Sequence, residues 1–328
     1  FVAAERQSPF LTAAQAEKEF GFSFGRGNYF VALVKPDIVN IAHFQNGYPI
    51  LMRHAVETVR REIGRLTDTY AVAVRQEGVA ILLYLPDYQM LDLKQCFTKI
   101  RKEIEKQRDL FGDIRCTVCL GSRKEQPEQL SHSLREALWL CRDRLCRVQP
   151  WRDAENDKTA FDERFQMDNA QKKRFQEASE YLDEERFMQE LEDSYRNILS
   201  HRPLNGQMLE DWFRQILQAS VYGLQQNGIV EEHFRDNAEE QFWRCAGPQD
   251  VFRLLEQEIR QQIQRLGKEK AQRETRPITE AKRYMQQHYQ QALRLEDVSS
   301  AVGFNATYFS VLFKKETGQN FMDYLTGL

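Results

Sequence analysis

The stretch "VGFNATYFSVLFKKETG", residues 302–318, carries the clearest start and stop signals in the sequence. Asn305 is a suitable N-cap, because its side chain can accept a hydrogen bond from an unpaired backbone N–H of the first helical turn. Gly318 can adopt the left-handed conformation in which helices commonly end. Together, these two signals predict a helix over 306–317.

The predicted helix has two different faces. Its apolar stripe follows helical spacing and consists of Phe309, Leu312 and Phe313. The other face is small, hydroxylic and basic, and it consists of Thr307, Ser310, Val311 and Lys314, with Tyr308 and Lys315 beside it. The stripe predicts a buried side, which leaves the second face for a ligand or partner.

A further helix is predicted directly upstream, over "LEDVSSAV", and Gly303 lies in the connection between the two helices. Two short helices joined by a tight turn that contains glycine form a helix-turn-helix pattern. In such a pattern the second helix commonly lies in the major groove of DNA. We interpret the second face as this DNA-reading surface; the alternative is a helical hairpin that serves only as core.

Length and composition limit the remaining choices. A chain of 328 residues with 41% hydrophobic residues is long enough for two or three domains and is not wholly disordered. The formal net charge of −3 argues against a protein that binds nucleic acid through a basic surface all over the molecule, but it allows a local DNA-binding patch. No apolar run has the length of a membrane span, and the chain begins with Phe and without a signal-peptide pattern. We therefore expect a cytoplasmic fragment of a longer protein.

The six cysteines and six histidines do not predict a metal or catalytic site. Cys116 and Cys119 form a CxxC motif, but "IRCTVCLG" has the pattern of a strand, in which residues three apart point to opposite faces. The histidines are scattered singly. We expect free thiols, no metal, no cofactor and no catalytic residues; zinc binding or redox chemistry of the cysteines is the alternative.

The order of predicted elements before residue 152 is β-α-β-β-α-β-α. An antiparallel sheet with helices on one face is the simplest way to bury these elements, so the predicted fold class is α+β. From about residue 153 the apolar residues follow helical spacing and predict an all-helical connector. The predicted domains are an N-terminal connector helix over 1–22, the sheet domain over 23–152, the helical connector over 153–275 and a helix-turn-helix over 276–328.

The last connector helix has an apolar stripe that allows two interpretations. The stripe consists of Phe252, Leu255, Ile259, Ile263 and Leu266. It is either the core of a helical bundle or a seam between two chains. The polar stretch "EKAQRETRP" that follows predicts a domain boundary, with a new helix beginning at Pro277.

Residues 276–328 resemble the first helix-turn-helix of AraC-type DNA-binding domains, most closely over "LEDVSSAVGFNATYFSVLFKKETGQNFMDYL". The resemblance implies DNA contacts by Thr307, Ser310 and Val311 in the groove, by Lys314 and Lys315 near the phosphates, and by the flanking Tyr308. Val311 stands where many members carry Arg, which favours contact with a thymine methyl group over a bidentate contact with guanine. Arg294 stands at an N-cap that Ser or Thr often fills, which should weaken that helix end by about 1 kcal/mol.

AraC-type domains contain two helix-turn-helix units joined by a long helix, and this chain stops at Leu328, about where that helix would begin. Residues 276–328 contain six Lys or Arg and five Asp or Glu, a net charge of +1. With so few groups to neutralise phosphates, this half-domain alone should bind DNA weakly and lose affinity quickly as salt is added.

The sheet domain resembles the degenerate GGDEF-like domains found in the middle of YesN-type response regulators, and the helical connector resembles the region that follows them. Active GGDEF cyclases carry paired glycines and acidic residues at the central hairpin, where this chain has "RQEG", residues 75–78. Only Glu77 is acidic there, and the first strand offers only Asp37 where metal-binding carboxylates are expected. Phosphoryl chemistry needs phosphates bound by backbone N–H groups and metal ions held by several carboxylates. Because neither set of groups is complete here, the resemblance implies a protein that is not an enzyme.

Together the resemblances imply a sequence-specific transcription regulator that binds double-stranded DNA as a homodimer. It would be the middle and output part of a two-component response regulator, controlled through an N-terminal receiver domain by a histidine kinase. One alternative is an enzyme or sensor for a nucleotide second messenger, and another is a membrane-tethered AraC-type regulator. The sheet domain itself would be a structural or dimerising spacer, or else a sensor of a small ligand or nucleotide.

Overall fold

The structure, a computed structural model, describes residues 27–39, 47–68, 70–85, 90–157, 163–228, 233–290 and 292–328. The predicted connector helix over 1–22 lies outside these residues. Within them the α+β class is confirmed: a sheet with its helices comes first, and an all-helical region with a helix-turn-helix follows.

A five-stranded sheet forms the centre of the N-terminal part, in the order β2-β3-β1-β4-β5. The strands are β1 (Asn28–Ile38), β2 (Tyr70–Arg75), β3 (Gly78–Leu85), β4 (Ile114–Leu120) and β5 (Trp151–Asp153). Neighbouring strands pair antiparallel except β5, which pairs parallel to β4, so the sheet is mixed and not wholly antiparallel as predicted. The sequence pattern missed β5 because a strand of three residues is too short to show alternation.

The hairpin between β2 and β3 depends on Gly78, which follows the turn residues Gln76 and Glu77. Gly78 has a φ of +137°, and a Cβ at this position would lie 2.7 Å from the carbonyl oxygen of Val34 on β1. The backbone conformation and the close approach both favour glycine. Any side chain here would push β3 away from β1.

Helices cover both faces of the sheet. The helices of this part are α1 (Tyr48–Ile63), α2 (Met90–Glu105), α3 (Arg108–Phe111) and α4 (Leu130–Asp143). The side of β1 that carries Phe30 packs against α1 and α2, and the side that carries Leu33 packs against α4. The prediction placed all helices on one face; the structure differs because β1 and β4 are apolar on both sides and are buried on both.

The CxxC motif of β4 has the geometry that the strand pattern predicts. Cys116 lies in the core on the α2 side of the sheet, and Cys119 lies in the core on the α4 side. Burial raises the pKa of both thiols well above the usual value for cysteine. Their side chains therefore cannot ligate one metal ion together.

The helical connector shares its core with the sheet. Its described helices are α5 (Asn169–Glu180), α6 (Glu184–Ser200), α7 (Gly206–Gln225), α8 (Phe234–Phe242) and α9 (Pro248–His288). One hydrophobic cluster runs from Leu33 of β1 through Leu138 of α4 and Trp212 of α7 to Ile259 of α9. A Cβ at Gly206 would lie 2.1 Å from the carbonyl oxygen of Arg142, so glycine lets the start of α7 touch the backbone of α4.

The apolar stripe of α9 is part of this shared core. Leu255, Ile259, Ile263 and Leu266 are buried, and Phe252 packs against the same cluster. The stripe is covered by α6 and α7 of the same chain. The interpretation as a seam between two chains is therefore wrong for this stripe, because its apolar surface is already occupied.

The helix α9 continues through the polar stretch in which a boundary was predicted. It runs without interruption over Pro248–His288, with Pro277 inside it. The boundary was predicted from the polar stretch "EKAQRETRP", with a new helix beginning at Pro277. Proline costs the helix one hydrogen bond but does not end it here. Leu266 belongs to the shared core and Ile278 to a separate C-terminal core, so the core changes along one helix. The division into four domains stays a prediction.

The C-terminal helices are α10 (Leu295–Ala301), α11 (Ala306–Thr317) and α12 (Phe321–Thr326). The bounds of α11 confirm the helix predicted over 306–317.

Candidate nucleic-acid interface

The end of α9 and the three C-terminal helices enclose a small core of their own. Its buried side chains in the described ranges are Ile278, Ala281, Met285, Val298, Phe309, Leu312, Phe313 and Phe321. The ring centroid of Phe313 lies 5.5 Å from that of Phe309 and 6.3 Å from that of Phe321. These aromatic contacts fix the rotation of α11 about its axis and so decide which of its faces points outward.

The turn between α10 and α11 is set by backbone hydrogen bonds. The N–H of Gly303 donates to the carbonyl oxygen of Ser300 at 3.1 Å, and the N–H of Phe304 donates to that of Ser299 at 2.9 Å. This pair of bonds is a Schellman motif, which requires a left-handed residue, and Gly303 has a φ of +77°. The turn predicted at this glycine is thereby confirmed.

Both ends of α11 are capped as predicted. The Oδ1 of Asn305 accepts a hydrogen bond from the N–H of Tyr308 at 2.8 Å. At the other end Gly318 has a φ of +73°, and its N–H donates to the carbonyl oxygen of Lys314 at 2.9 Å. Lys314 and Lys315 lie in the last turn, where a positive charge interacts favourably with the helix dipole.

The start of α10 is capped from within the helix. The N–H of Arg294 donates to the Oδ2 of Asp297 at 2.9 Å, which is one half of a capping box. An arginine side chain has no acceptor for the other half. The bond to Asp297 thus replaces only part of the capping that Ser or Thr at position 294 would supply.

The structure places the six predicted contact residues on the outer side of α11. Thr307, Tyr308, Val311, Lys314 and Lys315 are exposed, and Ser310 is half-buried. Val311 is 69% exposed and lies on one line along the helix with Thr307 and Lys314, since three or four residues make about one turn. The ring centroid of Tyr308 lies 5.3 Å from that of Phe304, and this contact orients the Tyr308 side chain. The residues form one continuous surface.

The hairpin of the sheet domain has a different chemistry. Glu77 is 5% exposed, and its carboxylate accepts from Arg75 Nε at 2.9 Å and Nη2 at 3.1 Å. Burial alone would raise the pKa of Glu77, but the hydrogen bonds and charge of Arg75 lower it below the usual value. The only acidic residue of the hairpin is thus an ionised group already bound by an arginine.

Asp37, the carboxylate at the end of β1, is also bound by an arginine. Arg144 donates from Nε to Oδ2 and from Nη2 to Oδ1, both at 2.9 Å, and both side chains are buried. Arg144 also donates to the carbonyl oxygens of Cys141, Trp243 and Cys245 at 2.7, 3.1 and 2.9 Å. The described residues contain no group of three or more side chains able to hold a metal ion.

Arg144 joins the sheet to the loop after α8, a contact that is hard to predict from the sequence. The segment "RDRL" at the end of α4 has the appearance of a solvated helix end. Asp37 lies in a buried, mostly apolar strand that also contains Lys35. A buried carboxylate is rarely unpaired, so Asp37 signals a buried cation, but it does not identify Arg144 as the partner.

Two family models match parts of this chain. The model for bacterial regulatory helix-turn-helix proteins of the AraC family matches residues 285–326, and the model for the GGDEF-like domain matches residues 5–139. The searches of curated proteins and of solved structures returned no match. The resemblances to an AraC-type helix-turn-helix and to a GGDEF-like domain are confirmed for these segments, and the resemblance to YesN-type response regulators stays a prediction. In the ranges that the structure describes, no helix combines the length and the apolar character needed to cross a membrane.

Proposed function

We propose that this chain belongs to a sequence-specific transcription regulator and that α11 is the helix that enters the major groove of DNA. The observation that supports this most strongly is the separation of the two faces of α11. Phe309 and Phe313 are fully buried, whereas Val311 between them is 69% exposed on a surface with hydroxyl groups and lysines. Such a surface suits base edges and phosphates.

The side chains of this surface divide into two roles. Lys314 and Lys315, in the last turn of α11, neutralise phosphates and carry no sequence information. Thr307 and Ser310 offer one hydroxyl contact each to base edges, and Val311 offers apolar contact to a thymine methyl group. Tyr308 flanks the groove and contacts the backbone or a base with its hydroxyl.

A regulator of this kind works best as a homodimer. Residues 276–328 carry a net charge of only +1 from six basic and five acidic residues, so one copy of this segment gains little from phosphates. Two linked readers increase the apparent affinity without any new contact. Because the stripe of α9 is buried within the chain, the dimer must use another surface.

We place the chain in a two-component response regulator, as its middle and output part. The GGDEF-like match followed by an AraC-type helix-turn-helix supports this order of domains. A receiver domain phosphorylated by a histidine kinase would then supply the signal upstream, and the protein would act on DNA in the cytoplasm. The alternative is a membrane-tethered sensor in place of the receiver. The sequence upstream of Phe1 in the full-length protein would distinguish the two.

The sheet domain is proposed to be non-enzymatic. Arginines already bind Asp37 and Glu77, the carboxylates at the positions where cyclases hold metal ions. Incubation with GTP and Mg²⁺ or Mn²⁺ should yield no cyclic dinucleotide above a control without protein. Formation of such a product would support the alternative of a second-messenger enzyme.

The DNA-binding role is tested by fluorescence anisotropy with duplex DNA, beginning at low salt, about 50 mM. Lys314→Ala should weaken binding to all sequences by a similar factor and reduce the slope of log affinity against log salt by about 1. Lys268→Ala is the matched control, because this lysine is exposed on α9 outside the helix-turn-helix core. Equal salt slopes for the wild type and Lys314→Ala would exclude Lys314 from the phosphate contacts, and an absence of binding by the wild type would contradict the proposed function.

A further inference from the structure

A cavity of about 400 Å³ lies at the β5 edge of the sheet, at the opposite edge from the β2–β3 hairpin. Its lining includes Lys94 of α2, Arg147 after α4, Trp151 and Arg152 of β5, and the turn that follows β5. Its volume lies in the range of small-molecule sites. None of its residues belongs to the DNA-reading face.

Two buried donors in the lining lack a hydrogen-bond partner within the described residues. They are Trp151 Nε1 and Arg152 Nη1. Arg152 is 2% exposed, and its other nitrogens are held by Asp143 and Asp157. The ring of Trp151 is positioned by Phe97, with centroids 5.9 Å apart. Buried donors almost always bind an acceptor, so these two indicate an acceptor that the described residues do not supply.

The carboxylates of the lining are already in use. Asp153 accepts from the N–H of Glu155 at 3.0 Å and from Asn156 Nδ2 at 2.8 Å. Asp157 accepts from Arg152 Nε at 2.7 Å. Both carboxylates therefore already have donors, and the buried side-chain atoms of the lining that lack a partner among the described residues are the two N–H donors.

The cationic side chains of the lining indicate that the group bound by these donors is negatively charged. Lys94 Nζ lies 5.8 Å from the ring centroid of Trp151. Arg147 makes a long ion pair with Asp143, at 3.6 Å. Cationic side chains beside two buried N–H donors are the combination that binds oxyanions.

We propose that this cavity binds a small oxyanion, a phosphate or carboxylate group, through Arg152 Nη1, Trp151 Nε1 and Lys94 Nζ. The site also lies next to a contact between the sheet domain and the helical connector. Asp143 accepts from Arg152 Nη2 at 2.8 Å and from the N–H of Gly206, the first residue of α7, at 3.1 Å. The anion on Nη1 and Asp143 on Nη2 share one guanidinium, so the site is linked through Arg152 and Asp143 to the start of α7.

The test is thermal unfolding of the whole chain with inorganic phosphate or with malonate, against chloride at matched ionic strength. A ligand that binds only the folded state raises the unfolding temperature as its concentration rises. Trp151→Phe removes the indole N–H and keeps an aromatic ring, and Lys94→Gln removes the charge; each should weaken binding about tenfold. Lys102→Gln is the control, because this lysine is exposed on the same helix outside the cavity.

Stabilisation by phosphate alone identifies a phosphate site, and stabilisation by malonate alone identifies a carboxylate site. An absence of stabilisation by either anion overturns the proposal, because water alone then satisfies the buried donors. Equal stabilisation of the wild type and both variants also overturns it, because the anion then binds elsewhere. Circular dichroism shows whether each variant is folded, and Trp151→Phe and Lys94→Gln change different elements, so one remains informative if the other unfolds.

Discussion

The helix-turn-helix and the sheet with its connector are held together over very different distances along the chain. The caps of α11 join residues three or four apart, as in the bonds from Tyr308 to Asn305 and from Gly318 to Lys314. Arg144, in contrast, bonds to Asp37, Trp243 and Cys245, which lie 107, 99 and 101 residues away. Local signals therefore define the DNA-reading helix, whereas contacts between distant segments define the body that carries it.

The largest effect is expected from a charge in the shared core. Ile259→Asp places a carboxylate in a fully buried position of α9, within the apolar cluster that the sheet and the connector share. Burying a charge is costly, so this change should unfold the sheet and the connector together. Loss of the cooperative transition in circular dichroism would show this. A variant that stays folded and only dissociates from a dimer would restore the seam interpretation that the structure contradicts.

A second, smaller loss is expected at the long-range ion pair. Arg144→Met leaves Asp37 buried without its cation and should lower the free energy of unfolding by about 4 kcal/mol. Urea denaturation measures the change. Arg196→Gln is the control: its side chain is 68% exposed in its surface pairs, so the expected loss is below about 1 kcal/mol. Similar losses for the two variants would show that Arg144 does not join the distant segments.

Phe309→Ala should act on the C-terminal module alone. It removes a fully buried ring from the small core around α11 and should cost that module about 3 kcal/mol. DNA binding should be lost at every sequence, while the transition of the sheet and connector stays in place. A shift in the unfolding transition of the sheet and connector would mean that the two cores unfold as one unit along α9.

The smallest effect is expected at the start of α10. Arg294→Ser supplies the missing half of the capping box with Asp297 and should stabilise the module by about 1 kcal/mol. The unfolding temperature of the module reports the gain. No gain would mean that the existing bond from Arg294 N–H to Asp297 already satisfies this end.

The contrast between local and distant contacts also explains how much could be predicted. Asn305, Gly303 and Gly318 carry their structural meaning within a few residues, so the bounds and faces of α11 followed from the sequence. The strand β5 and the second covered face of the sheet did not, because they depend on which segment packs there. The helix α9 continues through Pro277 for a similar reason: propensity disfavours proline in a helix, but packing on both sides of it stabilises the helix.

The chemistry of the sites was predictable to a similar degree. The absence of paired acidic residues in "RQEG" could be seen directly in the sequence. That Arg75 binds Glu77 follows from their closeness in one hairpin, but that Arg144 binds Asp37 does not. The cavity beside Trp151 and Arg152 was also hidden, since two buried donors can be recognised only when all their neighbours are known.

The most direct test of the DNA-reading face is selection of preferred DNA sites by the wild type, Val311→Ala and Lys314→Ala. Val311→Ala should change the preference at one base position by about 1 kcal/mol, because it removes an apolar contact and no charge. Lys314→Ala should weaken all sites equally and leave the preferred sequence unchanged. If Val311→Ala remains folded with the affinity and the preferred site of the wild type, then the exposed face of α11 is not the surface that reads DNA.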